Sequence, residues 1–214
     1  IISKGFFVNV GLAFPSQTFT VTKVKQDKTT PTGVVTTDST GAKYDAQSLG
    51  ILPSIEVGNQ WYFWKNEKMG VGLRVSWFQF GFSTYTLNDS KLIYGSDLNV
   101  TNVDLRFIKL APQYTYALTE DMALDFSFEV APTVFIGAVA KDDNFYATSS
   151  IGLLFAPGVK FRYKVFAAGF DYGFGAPSTA AISTFGNSSD SKLVSTATGT
   201  AATSYPRIYL GFKF

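Results

Sequence analysis

Residues 204–214 at the end of the chain alternate strictly between two kinds of side chain. One face would carry Pro206, Ile208, Leu210, Phe212 and Phe214, and the other would carry Tyr205, Arg207, Tyr209, Gly211 and Lys213. A period of two sustained over about ten residues is typical of a two-faced β-strand. Such a strand is longer than the roughly 5–6 residues usual in soluble sheets. It matches the roughly 9–11 residues of a strand that crosses a bilayer.

Seven further segments show the same alternation. They are residues 5–14, 49–64, 69–82, 101–118, 122–136, 150–162 and 165–175. In the fourth of these strands the apolar positions change parity after Phe107. Because a one-residue slip turns every later side chain to the other face, we expect a β-bulge near Ile108 and Lys109.

The connections between the predicted strands alternate in length. Short turns fall near residues 65–68, 119–121 and 163–164, and long polar connections fall near 15–48, 83–100, 137–149 and 176–203. In an up-and-down antiparallel sheet, all the long connections then gather at one end. An even number of strands allows closure without an unpaired edge. The sequence therefore predicts one all-β domain, residues 1–214, folded as a transmembrane eight-stranded antiparallel up-and-down β-barrel. The Ser/Thr/Ala/Gly-rich stretch 176–203 is expected to be an irregular, mobile external loop.

A soluble ligand-binding barrel shows the same alternation with its apolar face inside. Two further observations favour the apolar face outside. Aromatic residues gather beside the short turns and again toward the long connections, as at the two interfaces of a bilayer. The polar face holds charges of both signs, which indicates pairing inside a narrow lumen. The predicted lumen network consists of Glu56, Arg74, Asp104, Arg106, Asp125, Glu129, Lys160, Arg162, Asp171 and Arg207, with Lys213 on the same face.

Composition excludes several function classes. The chain has no histidine and no cysteine, so neither a catalytic histidine nor a thiolate metal site is possible. Its net charge of +2 is spread along the sequence without a basic block, which argues against a nucleic-acid partner. Asp125 and Glu129 lie two steps apart on one face. They admit either acid–base chemistry or pairing with Arg74 and Arg106, and the pairing is favoured. Acidic tripeptides at residues 88–90 and 142–144 lack the spacing of a calcium loop. We expect no catalytic residues, no metal and no cofactor.

With its closing aromatic strand and alternating connections, the chain resembles the small outer-membrane barrel superfamily of Gram-negative bacteria. That superfamily holds the OmpA membrane domain, OmpX and OmpW. The resemblance implies a location in the bacterial outer membrane, an export signal already removed, and contact with outer-membrane lipids. It also implies that the barrel-assembly machinery recognises the terminal strand, with Tyr209, Phe212 and Phe214 as the assembly signal.

Two functions follow as expectations. The first is a non-enzymatic structural or interaction protein with a plugged, charge-paired lumen, which acts through its loops or as an accessory subunit of a larger envelope complex. The alternative is an OmpW-like narrow channel or lateral-release transporter for small apolar molecules. For that alternative, Phe78, Phe80 and Phe82 share the inward parity of Arg74 and are expected to line an apolar pocket.

Overall fold

The computed structural model describes residues 1–30, 33–39, 43–87, 98–141, 144–175, 178–188 and 191–214, and these residues form β-strands joined by turns and short connections. The strands are β1 (Gly5–Ala13), β2 (Ser16–Thr30), β3 (Gly33–Ser39), β4 (Lys43–Ser48), β5 (Leu52–Lys65), β6 (Met69–Leu87), β7 (Leu98–Ala117), β8 (Met122–Lys141), β9 (Asn144–Tyr163), β10 (Phe166–Gly175), β11 (Ser178–Ser188) and β12 (Ser191–Lys213). Within the described residues, no helix is long and apolar enough to cross a membrane.

Eight of the strands close into a ring. Their order is β1, β5, β6, β7, β8, β9, β10 and β12, and β12 pairs back to β1. Each neighbouring pair is antiparallel, and the closing pair runs from Phe7 opposite Lys213 to Ala13 opposite Arg207. The predicted eight-stranded antiparallel barrel is confirmed. The last strand, from which the prediction started, is the one that seals the ring.

The long connections are built differently from the expectation. β11 hydrogen-bonds to β12 on one side and to β9 on the other, so residues 178–188 are a paired strand and not an irregular loop. Similarly, β2 pairs with β12, and β3 and β4 pair with β2. Composition alone indicated loops here, but neighbouring strands supply ladder partners for these backbones, and a paired backbone outweighs a weak local propensity. The barrel wall therefore continues past the expected strand ends.

The β-bulge predicted near Ile108 and Lys109 is confirmed. The pairing of β7 with β8 shifts between Arg106 and Leu110, and Ile108 has a left-handed backbone with φ of 53°. A second bulge lies beside it in β6, where the pairing with β5 shifts between Val57 and Gly58. The β6–β7 ladder itself keeps one register through this region. β6 and β7 thus each carry one extra outward residue at the same level of the barrel wall. Beyond it, the alternation of inward and outward side chains is shifted by one residue in both strands.

The outer wall is apolar along its length. Exposed side chains include Val10, Leu12, Ile55, Val71, Phe126, Phe128, Leu153, Phe170, Ile208 and Leu210. Aromatic side chains lie at both ends of this surface. Near the short turns are Phe63, Trp64, Tyr116, Phe161, Tyr163, Phe166, Phe212 and Phe214, and toward the long hairpins are Trp77, Phe82, Tyr172 and Phe174. An apolar exterior over a charged interior is the reverse of a soluble protein, and it identifies the barrel as membrane-spanning.

Candidate functional site: the charged lumen

All ten charged residues of the predicted network lie inside the barrel, none more than 6% exposed. Two more cations join them: Lys109, which is fully buried, and Lys213, which is 9% exposed. These twelve side chains form two layers. The central layer contains Arg74, Arg106, Lys109 and Arg207 with Glu56, Asp104, Glu129 and Asp171. The mouth layer, toward the short turns, contains Lys160, Arg162 and Lys213 with Asp125.

Lys109 is the junction of the central layer. Its ammonium nitrogen lies 2.8 Å from Glu56 Oε1 and 3.0 Å from Glu129 Oε1, and it also donates to Gln79 Oε1 at 2.8 Å. Arg74 Nη2 donates to the second oxygen of Glu129 at 3.1 Å. The bulge in β7 is what turns Lys109 inward, since its neighbours Ile108 and Leu110 are exposed on the outer wall.

Arg207 of β12 extends the same layer toward β10 and β5. Its guanidinium contacts Asp171, with Nη2 2.6 Å from Oδ2, and donates from Nη1 to Glu56 at 3.0 Å and to Gln79 at 2.7 Å. Ser76 and Asn9 also donate to the Glu56 carboxylate. Every carboxylate of this layer is therefore within hydrogen-bonding distance of at least one cation, as burial of a charge requires.

Asp104, Arg106 and Tyr205 complete the central layer on the side of the long hairpins. Arg106 donates to Asp104 from Nη2 at 2.9 Å, and the Tyr205 hydroxyl donates to the same carboxylate at 2.9 Å. Next to them an apolar group fills the lumen, made of Ala13, Leu49, Leu52, Ala131, Phe135 and Leu154 packed with Tyr205. A cavity of about 10 Å³ beside Phe135 and Leu154 has room for one water.

The mouth layer is organised around Asp125. Arg162 donates to both of its oxygens, at 2.7 and 2.9 Å, while Lys160 contacts it at 3.0 Å and Thr115 donates at 2.6 Å. Opposite this group, the Tyr62 hydroxyl accepts from Arg162 Nη2 at 3.1 Å. Gln60 and Gln113 also donate to Tyr62. This hydroxyl therefore ties three strands, β5, β7 and β9, at the mouth.

Asp125 and Glu129 belong to different layers. Asp125 pairs with Lys160 and Arg162, and Glu129 pairs with Arg74 and Lys109. The two carboxylates do not share a partner in these pairs, an arrangement suited to charge pairing. Among the described residues, no cluster of acidic side chains could hold a metal ion. The tripeptide at 88–90 and Asp142 and Asp143 lie outside the described residues.

The inward position predicted for Phe78, Phe80 and Phe82 is wrong. In β6 the inward residues are Arg74 and Ser76 below the bulge but Gln79 and Gly81 above it, so the three phenylalanines face outward. Phe82 is 52% exposed, and Phe78 packs against Phe107 of the neighbouring strand at 5.5 Å between ring centroids. The extra residue in β6 changes the parity, and the sequence pattern did not reveal it because Trp77 and Phe78 are both large and aromatic.

The three residues of the expected assembly signal point in different directions. Tyr209 is inside the barrel, 4% exposed, where Arg74 Nη1 lies 3.5 Å from its hydroxyl. Phe212 faces outward and packs against Phe166 at 5.3 Å between centroids. Phe214 is 73% exposed, and its backbone N–H donates to the carbonyl of Phe6 at 2.8 Å. One residue of the three fills the lumen, and two lie on the lipid-facing belt.

The predicted lumen network did not include Lys109, Tyr62 or Tyr205. A signal existed for Tyr205, which shares the parity of Arg207 in the last strand. The sequence predicted a bulge near Lys109 but did not assign this residue to a face, because periodicity does not determine the direction of a side chain beside a bulge. Tyr62 lies next to a further register shift in β5, between Tyr62 and Trp64.

No protein-family model matches the chain, and no curated protein matches it. Solved structures with a similar course of the chain exist. The outer membrane protease OmpT from Escherichia coli is 9% identical, with 98% of this chain and 97% of that chain covered and a TM-score of 0.41. Neisserial surface protein A is 10% identical, with 98% and 97% covered and a TM-score of 0.43. The outer membrane protein OprG from Pseudomonas aeruginosa is 14% identical, with 98% and 96% covered and a TM-score of 0.41. Identities this low carry no information on activity.

Proposed function

We propose that this chain is a non-conducting, non-enzymatic barrel of the bacterial outer membrane, acting as a structural or interaction protein. It would present its long β-hairpins, or its outer wall, to a partner in the cell envelope. The observation that carries the proposal is the packing of the lumen, where side chains from opposite walls touch. Because the lumen is filled by side chains, the surfaces that can bind a partner are the hairpins and the outer wall.

Contacts across the full width of the barrel support occlusion. In the ring, β7 lies opposite β12, and the Arg106 guanidinium carbon is 3.7 Å from the centroid of the Tyr205 ring. β5 lies opposite β9, and Tyr62 accepts from Arg162. These two contacts lie in the central layer and the mouth layer respectively. A permeating solute would have to separate both contacts and pass side chains that are also held by the buried ion pairs Arg106–Asp104 and Arg162–Asp125.

The alternative is a narrow transporter for small apolar molecules, and the pocket that was its main support is not formed. Its pocket was to be lined by Phe78, Phe80 and Phe82, and these face outward. Beside the apolar group around Leu52 and Phe135, the cavity next to Phe135 and Leu154 has a volume of only about 10 Å³. A drug-sized ligand needs several hundred Å³. The transporter therefore remains the second candidate, without the phenylalanine-lined pocket that was expected for it.

Conductance in planar bilayers tests occlusion. The refolded barrel is expected to give no stable current steps, while the double variant Arg106→Ala/Tyr205→Ala, which removes one contact between opposite walls, is expected to raise the frequency of current events. The double variant Phe170→Ala/Ile208→Ala removes comparable bulk from the exposed outer wall and serves as the control. Stable steps from the unmodified protein would overturn the proposal in favour of the channel.

Extraction from native membranes in mild detergent separates the two forms of interaction. An accessory subunit is expected to migrate as a large assembly with stoichiometric partners. A barrel that acts through its hairpins alone is expected to migrate at the size of one barrel and its micelle, and crosslinking before extraction would then identify what the hairpins contact. The absence of any partner in both experiments would contradict an interaction role.

A further inference from the structure

The two layers of the lumen differ in charge balance. The central layer has four cations, Arg74, Arg106, Lys109 and Arg207, against the four carboxylates Glu56, Asp104, Glu129 and Asp171. The mouth layer has three cations, Lys160, Arg162 and Lys213, against Asp125 alone. Within the described lumen, the whole excess of positive charge therefore lies at the mouth beside the short turns.

Asp125 cannot neutralise this excess. Its two oxygens already accept from Arg162, Lys160 and Thr115 at distances of 2.6–3.0 Å. Lys213 is 9% exposed and, among the described residues, contacts no carboxylate. A buried ammonium without a counter-charge is costly. The mouth layer is therefore short of negative charge.

Backbone oxygens of the chain's first residues take the place of the missing charge. Arg162 Nη1 donates to the carbonyl of Ile1 at 2.9 Å, and Lys213 donates to the carbonyl of Ser3 and to its hydroxyl, the latter at 3.2 Å. From outside the lumen Lys65 donates to the carbonyl of Ile2 at 3.4 Å. Three successive residues thus present neutral oxygens to three cations, and carbonyl dipoles are only a partial substitute for an anion.

We propose that the mouth layer is a binding site for an oxyanion of the phosphate class, which Arg162 and Lys213 hold in place of the carbonyls of Ile1 and Ser3. The planar guanidinium of Arg162 has one side engaged with Asp125 and directs Nη1 into the mouth, and Lys213 adds a compact charge beside it. A tetrahedral anion has several acceptor oxygens and a formal charge, so it satisfies both groups better than a peptide carbonyl. Residues 1–3 then form the cover of the site.

This inference does not depend on the proposed interaction role. It is tested with the refolded barrel in non-ionic detergent by following thermal unfolding with inorganic phosphate or with sodium chloride at equal ionic strength. Phosphate is expected to raise the unfolding midpoint by a few degrees beyond the chloride effect, because a ligand that binds only the folded state stabilises it. Isothermal titration with inorganic phosphate gives the affinity directly.

Three variants make the test specific. Lys213→Met is expected to weaken phosphate binding at least tenfold, and Lys213→Arg, which keeps the charge, is expected to retain it. Lys164→Met is the matched control, because Lys164 lies in the turn between β9 and β10 and is exposed, 3.8 Å from Asp121; it should bind phosphate as the unmodified protein does. Equal effects of phosphate and chloride in all four proteins would be a salt effect only and would overturn the proposal.

A competition experiment distinguishes two sources of the phosphate group, a lipid headgroup and a free oxyanion. Micelles doped with phosphatidylglycerol are compared with micelles doped with a neutral glycolipid. If the anionic lipid displaces inorganic phosphate, the natural ligand is a lipid headgroup at the membrane face of the mouth. If it does not, and inorganic phosphate still binds, the ligand is a free oxyanion. Failure of inorganic phosphate to bind while the barrel stays closed to current would reject this site and leave the proposed function intact.

Discussion

Arg106 and Tyr205 come from opposite walls of the barrel and meet in the lumen, with the guanidinium carbon 3.7 Å from the ring centroid. Both also bind Asp104, which lies two residues before Arg106 on the same strand. The contact joins a cation–π interaction to a charge-assisted hydrogen bond in a place where neither group meets solvent. One carboxylate thus fixes the position of two side chains that span the barrel.

Replacing Arg106 with leucine leaves Asp104 with the Tyr205 hydroxyl as its remaining partner. We expect a loss of about 3–5 kcal/mol in the free energy of unfolding, the usual cost of leaving a buried charge unpaired. Urea unfolding in lipid vesicles, followed by the heat-modified mobility of the barrel on gels, measures it. The double variant Asp104→Asn/Arg106→Leu should recover part of the loss. If the single and double variants were equally stable, Asp104 would not depend on this arginine.

Gly169 of β10 provides the space occupied by the Tyr209 ring, since a Cβ at position 169 would overlap that ring. Gly169→Ala is therefore expected to cost about 1–3 kcal/mol, as overpacking of a filled interior does. The neighbouring Ala168 faces outward, so Ala168→Val is a matched control that should be nearly neutral. In a double-mutant cycle, Tyr209→Ala should remove the penalty of Gly169→Ala. Strictly additive effects would show that the two positions do not compete for space.

Ile108 has a φ of 53°, which a β-branched residue tolerates poorly. Glycine adopts this conformation freely, so Ile108→Gly should relieve strain while it loses contact with lipid. Leu110 is also exposed on the outer wall and is a control for the lost lipid contact. We expect Ile108→Gly to cost about 1–2 kcal/mol less than Leu110→Gly in equilibrium unfolding. Equal costs would indicate that the bulge is unstrained.

Phe214 is expected to matter for assembly more than for stability. It is 73% exposed and its side chain faces the lipid, so Phe214→Ala should barely change refolding from urea into detergent. The amount of folded barrel recovered from cell membranes should fall several-fold if the assembly machinery recognises this residue. Phe174→Ala, an outward aromatic at the other end of the wall, is the control and should assemble normally. Normal membrane levels of Phe214→Ala would contradict the assembly signal.

Strand periodicity and connection length were enough to predict the ring of eight strands, because each strand has one lipid face and one lumen face. The predicted charges were found inside for the same reason. The alternation of β6 could not be predicted past Trp77, because Trp77 and Phe78 are both aromatic and the extra residue leaves no sign in the pattern. As a result, Phe78, Phe80 and Phe82 were predicted to lie on the wrong face. The pairing of β11 was missed because its Ser/Thr/Ala/Gly-rich composition indicated a loop, whereas β12, which follows it directly, and β9 both supply ladder partners.

Which side chains pair with one another inside the lumen could also not be predicted from the sequence. Periodicity places Arg74 and Glu129 on inward faces, but only closure of the ring sets which side chains reach one another. The same holds for the contacts of Ile1 with Arg162 and of Ser3 with Lys213, whose partners are 161 and 210 residues apart in the chain. Such contacts depend on the shear of the closed barrel, which a single sequence does not give.

The matched bulges of β6 and β7 have a consequence for how the barrel can be put together. These two strands keep one register with each other, while both outer edges of the hairpin are offset by a residue from β5 and β8. The β6–β7 pairing is therefore regular across both bulges, and the register shifts fall only where the hairpin meets its neighbours. A neighbour that docks one residue out of step would turn Glu56 or Glu129 toward lipid. The offset thus ties the inward position of these carboxylates to one alignment of β5 and β8 with the hairpin.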